Sequence, residues 1–289
     1  MKRLTMFLAV LGMCNLSFAQ GNEKPAAQNP PAGQAAGQTA AAPQGRRPPQ
    51  AKTQPEFEAF NAARQLADAA ATEKAAGDFA AKYPDSELRG MLYKSAMQKY
   101  QQANNGDKMM EMAQKALTFD SDDPEALLGV AQILAERTQD ADLDRDQRLA
   151  ESKKDAERAL VTIDTDLPTT GYQPEQLNTL KAFLRSEAYA ILGTIAFKGK
   201  NWPEAETNLR KSIDAFPQQP DTIAIFRLAV SLDMQNKYPE AMKYIDQAVD
   251  LTKDRPDSGL GKVVRTEKDR LTKLNSGTAP GQNPAPPKN

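Results

Sequence analysis

The sequence predicts an all-α fold, a row of about five stacked helix pairs held between two polar terminal segments. Three observations predict it. From Pro55 to Leu274 apolar residues recur at intervals of three and four, with no run of alternating β-branched residues. The strings Asn201-Trp202-Pro203-Glu204-Ala205-Glu206 and Lys237-Tyr238-Pro239-Glu240-Ala241-Met242 repeat the same phrase 36 residues apart. Both flanks are rich in proline, glutamine and alanine and lack the large side chains of a core.

Residues 1–19 read as an export signal. Met1-Lys2-Arg3 is a basic start, Leu4 to Leu16 is a short apolar stretch, and Ser17-Phe18-Ala19 is a small-x-small cleavage site. The stretch is shorter than the roughly 20 residues a membrane span requires, so no transmembrane segment is expected after cleavage. The expected location is periplasmic or secreted. Cys14 follows Leu11-Gly12-Met13, which resembles a bacterial lipobox. Met13 stands where that motif needs a small residue, so cleavage after Ala19 is preferred to lipidation.

Residues 20–55 contain no aromatic residue and no leucine, isoleucine or valine. Such a segment buries too little apolar surface to offset its ordering entropy, so the expectation is a disordered arm. The arm has a net charge of +3. The segment 56–275 is the expected folded domain and has a net charge of −7. Residues 276–289 have the composition of the arm and are expected to be a disordered tail.

Within 56–275 the clearest unit begins near Ser186. Tyr189, Leu192, Gly193 and Ala196 share one helical face, Lys200 to Pro203 makes a turn, and Ala205, Leu209 and Ser212 line a second helix. The next unit repeats this with Ile225, Leu228, Ala229 and Leu232, then Ala241, Ile245 and Ala248. Earlier units are looser. Tyr93, Ala96, Met97 and Tyr100 precede Met109, Ala113 and Ala116; Leu127, Val130, Ala131 and Leu134 precede a partner helix around Ala150 to Ile163. Residues 56–83 make an opening pair and Leu260 to Leu274 a closing helix.

This pattern of an aromatic, Leu-Gly, a turn aromatic, Ala, a large apolar residue and Ala resembles the tetratricopeptide repeat. The phrase Phe79-Ala80-Ala81-Lys82-Tyr83-Pro84-Asp85-Ser86 is similar to one found in helical-repeat proteins of bacterial envelopes. The small residues at Gly193, Ala229, Ala205 and Ala241 suit a close approach of paired helices. Spacings depart from the family at 139–147 and 164–175, and the helix from Pro174 to Lys198 is longer than a family first helix.

The chain has no histidine, and its single cysteine lies in the signal. Most nucleophile–base pairs and most transition-metal sites are thereby excluded. No glycine-rich phosphate loop or serine elbow is present, so no enzymatic role and no cofactor are expected. A net charge of −1 argues against a nucleic-acid partner held by bulk positive charge. One acidic loop has the spacing of a calcium loop. Asp140, Asp142, Asp144, Asp146 and Glu151 fall at calcium-loop positions, but Arg145 stands where that loop needs glycine and Gln147 where it needs an apolar residue. The loop is therefore expected to be solvated, with its aspartates capping the next helix and no metal bound.

The expected function is a protein- or peptide-binding scaffold. The alternative is an architectural component of an envelope complex, associating through its basic proline-rich arm. The resemblance implies that the binding face is the concave one made by the first helix of each pair. Transferred by alignment, it consists of Lys94, Gln98 and Gln101, then Leu128, Gln132 and Ala135, then Ala190, Thr194 and Phe197, and last Phe226, Val230 and Asp233. Each set lies at i, i+4 and i+7 and so shares one helical face.

Overall fold

The computed structural model describes residues 47–167 and 172–275. The export signal, most of the arm and the tail lie outside the described residues. Eleven α-helices and no strand are found among the described residues. They are α1 (Gln54–Gln65), α2 (Ala69–Lys82), α3 (Arg89–Gln102), α4 (Gly106–Leu117), α5 (Pro124–Arg137) and α6 (Arg145–Thr165). Then come α7 (Pro174–Lys198), α8 (Trp202–Ala215), α9 (Thr222–Asp233), α10 (Tyr238–Leu251) and α11 (Gly259–Asn275). Consecutive helices pack on one another along the whole row, with five pairs and a closing helix. The fold is an all-α helix-pair solenoid. No described helix is long and apolar enough to cross a membrane.

Helix starts follow from local chemistry. Thr53, Asp68, Asn105, Asp123, Asn201 and Asp221 each accept a hydrogen bond from a backbone N–H of the first turn. Proline follows several of these caps, where its missing N–H costs nothing. The turns inside three pairs share one geometry. Asn104, Lys200 and Asn236 adopt positive φ. The amides just after them reach back to Tyr100, Ala196 and Leu232 carbonyls at 2.9 Å. This left-handed closure ends each first helix and starts its partner within a few residues.

Close approach is achieved by small residues. A Cβ at Gly193 would lie 2.7 Å from Leu209 of α8, and one at Gly129 would lie 2.9 Å from the Met97 sulfur. Buried hydroxyls join the pairs: Ser152 Oγ donates to the Ala131 carbonyl at 2.7 Å and Ser186 Oγ to the Ser212 carbonyl at 2.8 Å. The apolar interior falls into three clusters. The first joins α1 to α5, the second α5 to α7, and the third α7 to α11. Helix α5 serves two of them with opposite faces, Val130 and Leu134 on one side, Leu128 and Ala135 on the other.

The arm is shorter than composition implies. Arg47 makes a paired contact to Glu87 at 2.6 and 2.8 Å, the Gln50 amide reaches the same carboxylate, and α1 begins at Gln54. Residues 47–55 therefore belong to the folded body. A guanidinium and a well-placed carboxylate anchor them, although they have no apolar side chain larger than alanine and proline.

Candidate binding groove

A groove of about 380 Å³ crosses α3, α5, α7 and α9, the first helices of four consecutive pairs. Its lining runs obliquely. It takes the C-terminal end of α3 at Gln101 and Gln102, the middle and end of α5 from Leu128 to Arg137, the middle of α7 from Glu187 to Thr194, and the start of α9 from Ile223 to Arg227. Of the positions expected from the resemblance, Gln101, Leu128, Gln132, Ala190 and Thr194 line it.

The others are placed elsewhere. Lys94 is largely buried between α3 and the start of α5, with its ammonium 2.7 Å from Asp123 and 3.0 Å from Glu125. Gln98 donates to the second oxygen of Glu125 at 2.9 Å. These two side chains tie neighbouring pairs together. Burial alone would lower the Lys94 pKa; the two carboxylates outweigh it and hold the ammonium above the usual lysine range. Burial raises the Asp123 carboxyl, with Lys94 opposing.

Ala135 is core. Phe197 stands edge-on to Trp202 with ring centroids 5.5 Å apart and packs on the third cluster, as does Phe226. Val230 is half-buried and lies outside the lining. Asp233 is buried and pairs with Arg270 of the closing helix, which withdraws it from any open face. On α9 the lining stripe is one turn earlier than the transferred one, because the groove reaches that helix at its N-terminal end.

Apart from Thr194, the polar floor at the α9 end was not among the expected residues. Arg227 reaches past α7 to Glu136 of α5, with two contacts at 3.1 and 3.2 Å, and donates to Thr194 Oγ1 at 2.6 Å. Lys198 donates to the Glu136 and Thr138 carbonyls at 3.0 and 2.7 Å, closing the end of α5. Burial pulls the Lys198 ammonium below the usual lysine value, with Glu136 opposing. The signal for Arg227 was present, since it lies four residues after Ile223. Its partner is 91 positions away, which no local pattern reveals.

The acidic loop sits at the edge of this region. Arg145, the residue that breaks the calcium pattern, pairs with Asp140 and Asp146 and donates to the Lys198 carbonyl at 2.8 Å, capping the end of α7. Arg148 pairs with Asp142. Asp144 precedes α6 but makes no side-chain cap hydrogen bond, which corrects the expectation that these aspartates cap the helix. They are spent on arginines instead. Among the described residues no group of three or more Asp, Glu, His or Cys is arranged to hold a metal ion.

These features define a helical-repeat solenoid with a mixed polar and apolar groove across its first helices. No protein-family model matches the chain, and no curated protein matches it. Among solved structures the chain is similar to the assembly chaperone of RpL4 (Acl4, residues 1–338). The two share 15% identity over 77% of this chain and 99% of that chain, with a TM-score of 0.39.

Proposed function

We propose that the chain is an exported, non-enzymatic scaffold of the tetratricopeptide type that holds an extended segment of a protein partner in the oblique groove. The observation that supports it is the groove itself, whose volume falls within the range of binding clefts and whose walls come from four successive repeats. Apolar side chains such as Leu128, Ile133 and Ile191 alternate there with the amides of Gln101 and Gln132. That mixture suits a peptide, whose backbone needs hydrogen-bond partners and whose side chains need apolar cover. The absence of histidine, and the tying of Arg137 and Arg227 into ion pairs, support binding rather than catalysis.

Export rests on the basic start, apolar stretch and Ser17-Phe18-Ala19 site. The arm-driven envelope role is the weaker reading, since Arg47, one of the arm's basic residues, is spent on Glu87. The test is affinity capture from envelope extract with the full chain and with a Gln132→Trp variant that fills the groove. The expected result is a discrete partner retained by the wild type and lost by the folded variant. Equal capture by both, released by salt, would move the site to the arm.

A further inference from the structure

A second cavity, of about 460 Å³, lies where the second helices of the first three pairs end. Its walls are the link after α2 from Asp85 to Glu87, the end of α4 at Phe119 and Asp120, and the end of α6 at Asp166 and Leu167. A helix C-terminus is the negative end of its dipole and favours a cation. Two such ends, of α4 and α6, meet here, and α6 has no basic residue in its last turn. The arm is already seated at this cavity. Arg47 and Pro49 line it, Arg47 is held on both oxygens of Glu87, and the Gln50 amide reaches the same carboxylate at 3.3 Å. The other two cations of the lining are engaged on the walls. Lys94 pairs with Asp123, while Arg89 donates to the Ser86 carbonyl at 2.8 Å and stands 4.6 Å from the centre of the Phe119 ring.

We infer that the arm continues through this cavity and that Arg46, the residue just before the described ones, seats its guanidinium between Asp120 and Asp166. The Arg47 contact fixes where the chain arrives. Adjacent α-carbons are about 3.8 Å apart, so Arg46 stays at the cavity. Pro48 keeps Arg47 extended, and an extended chain sends successive side chains to opposite sides. With Arg47 on the link after the first pair, Arg46 is turned to the wall built by the second and third. A guanidinium is planar with five donors and can span two carboxylates. The basic pair Arg46-Arg47 thus straps together the ends of three successive pairs. Residues 20–45 then carry Glu23 and Lys24 alone, with no net charge. The arm is a neutral tether fixed to the body, with no basic patch to offer an anionic surface.

Trypsin reads the placement of Arg46, because it cuts after Arg46, whereas prolines follow Lys24 and Arg47 and block cleavage there. The full chain and a capped peptide of residues 40–53 are digested side by side, and scission of the Arg46–Arg47 bond is followed by mass spectrometry. The bond is expected to be cut more slowly in the chain than in the peptide. Asp120→Asn together with Asp166→Asn, checked for fold by circular dichroism, is expected to speed its cutting about tenfold, the scale of one charge-assisted hydrogen bond. Each single change, the fallback should the double variant not fold, is expected to act in the same direction by less. Glu87→Gln separates the two arginines. Cutting that Glu87→Gln speeds and the aspartate changes leave untouched would show that Arg47 alone protects the bond, and would overturn the inference. Cutting of the wild-type chain at the rate of the peptide would overturn it as well and leave the cavity open to an outside ligand.

Discussion

Lys94 shows what a single side chain contributes to this fold. Its ammonium is the only cation in direct ion-pair contact with Asp123 and Glu125 among the described residues, and all three side chains are more than four-fifths covered. Removing one partner of a buried ion cluster leaves the others uncompensated. Lys94→Met is therefore expected to cost about 3–5 kcal/mol, measured as a fall in the urea midpoint. Glu87 offers a test by pH. The Arg47 hydrogen bond holds its carboxyl below the usual range, against a smaller opposing effect of burial. A carboxyl depressed on folding contributes stability at higher pH and loses it as pH falls through the folded pKa. The pin on residues 47–53 should thus stay closed at neutral pH and open only below the ordinary carboxylate range. The amide shift of Gln50, which contacts Glu87, should report that transition, and Arg47→Ala should move it up to ordinary carboxylate pH. Sequence spacing placed Lys94 on its helix but did not disclose its ion pairs with Asp123 and Glu125. A helical face can be read from spacing, whereas Asp123, Glu125 and the Arg270 partner of Asp233 lie on other elements.

At the scale of elements, glycines mark where helices meet. Gly193→Leu forces a side chain into Leu209 of α8, whose atoms stand 2.7 Å from the position of the first added carbon. The expected loss is about 1–3 kcal/mol in a thermal melt. Gly261→Ala should cost at least as much, because its added carbon would lie 2.6 Å from the Arg255 and Pro256 carbonyl oxygens, and backbone yields less readily than a leucine tip. Gly193 was legible, since it sits in a Leu-Gly pair on a repeating face. Gly261 was not, because the closing helix belongs to no repeat. The boundaries of α7 were legible as well, Pro174 opening it and Gly199 closing it. Its 25 residues, about 37 Å of helix, let it contribute Leu180 and Phe183 to the second core cluster and Ala196 to the third.

Across the whole molecule, a solenoid whose repeats touch only their neighbours has stability that adds pair by pair. The Arg227–Glu136 contact departs from that, since it joins the third pair to the fifth over the top of α7. Glu136 is 43% exposed, so solvent screening keeps its value small. A double-mutant cycle with Arg227→Ala and Glu136→Ala is expected to give a coupling of about 0.5–1 kcal/mol. The helix-pair architecture was readable along the chain because small and large residues repeat at fixed offsets. The groove's oblique course was not. It depends on how successive pairs are rotated against one another, which no local pattern in the chain states.

The central claim is that a partner lies across the first helices, and site-specific photo-cross-linking tests it most directly. Benzoylphenylalanine would be placed at Gln132 and Ile223 in the groove, and at Lys154 and Val161 on α6, which does not line it. In intact cells the account predicts one discrete cross-linked protein from both groove positions and none from the two on α6. Cross-links of equal yield from Lys154 and Val161, with none from Gln132, would contradict it.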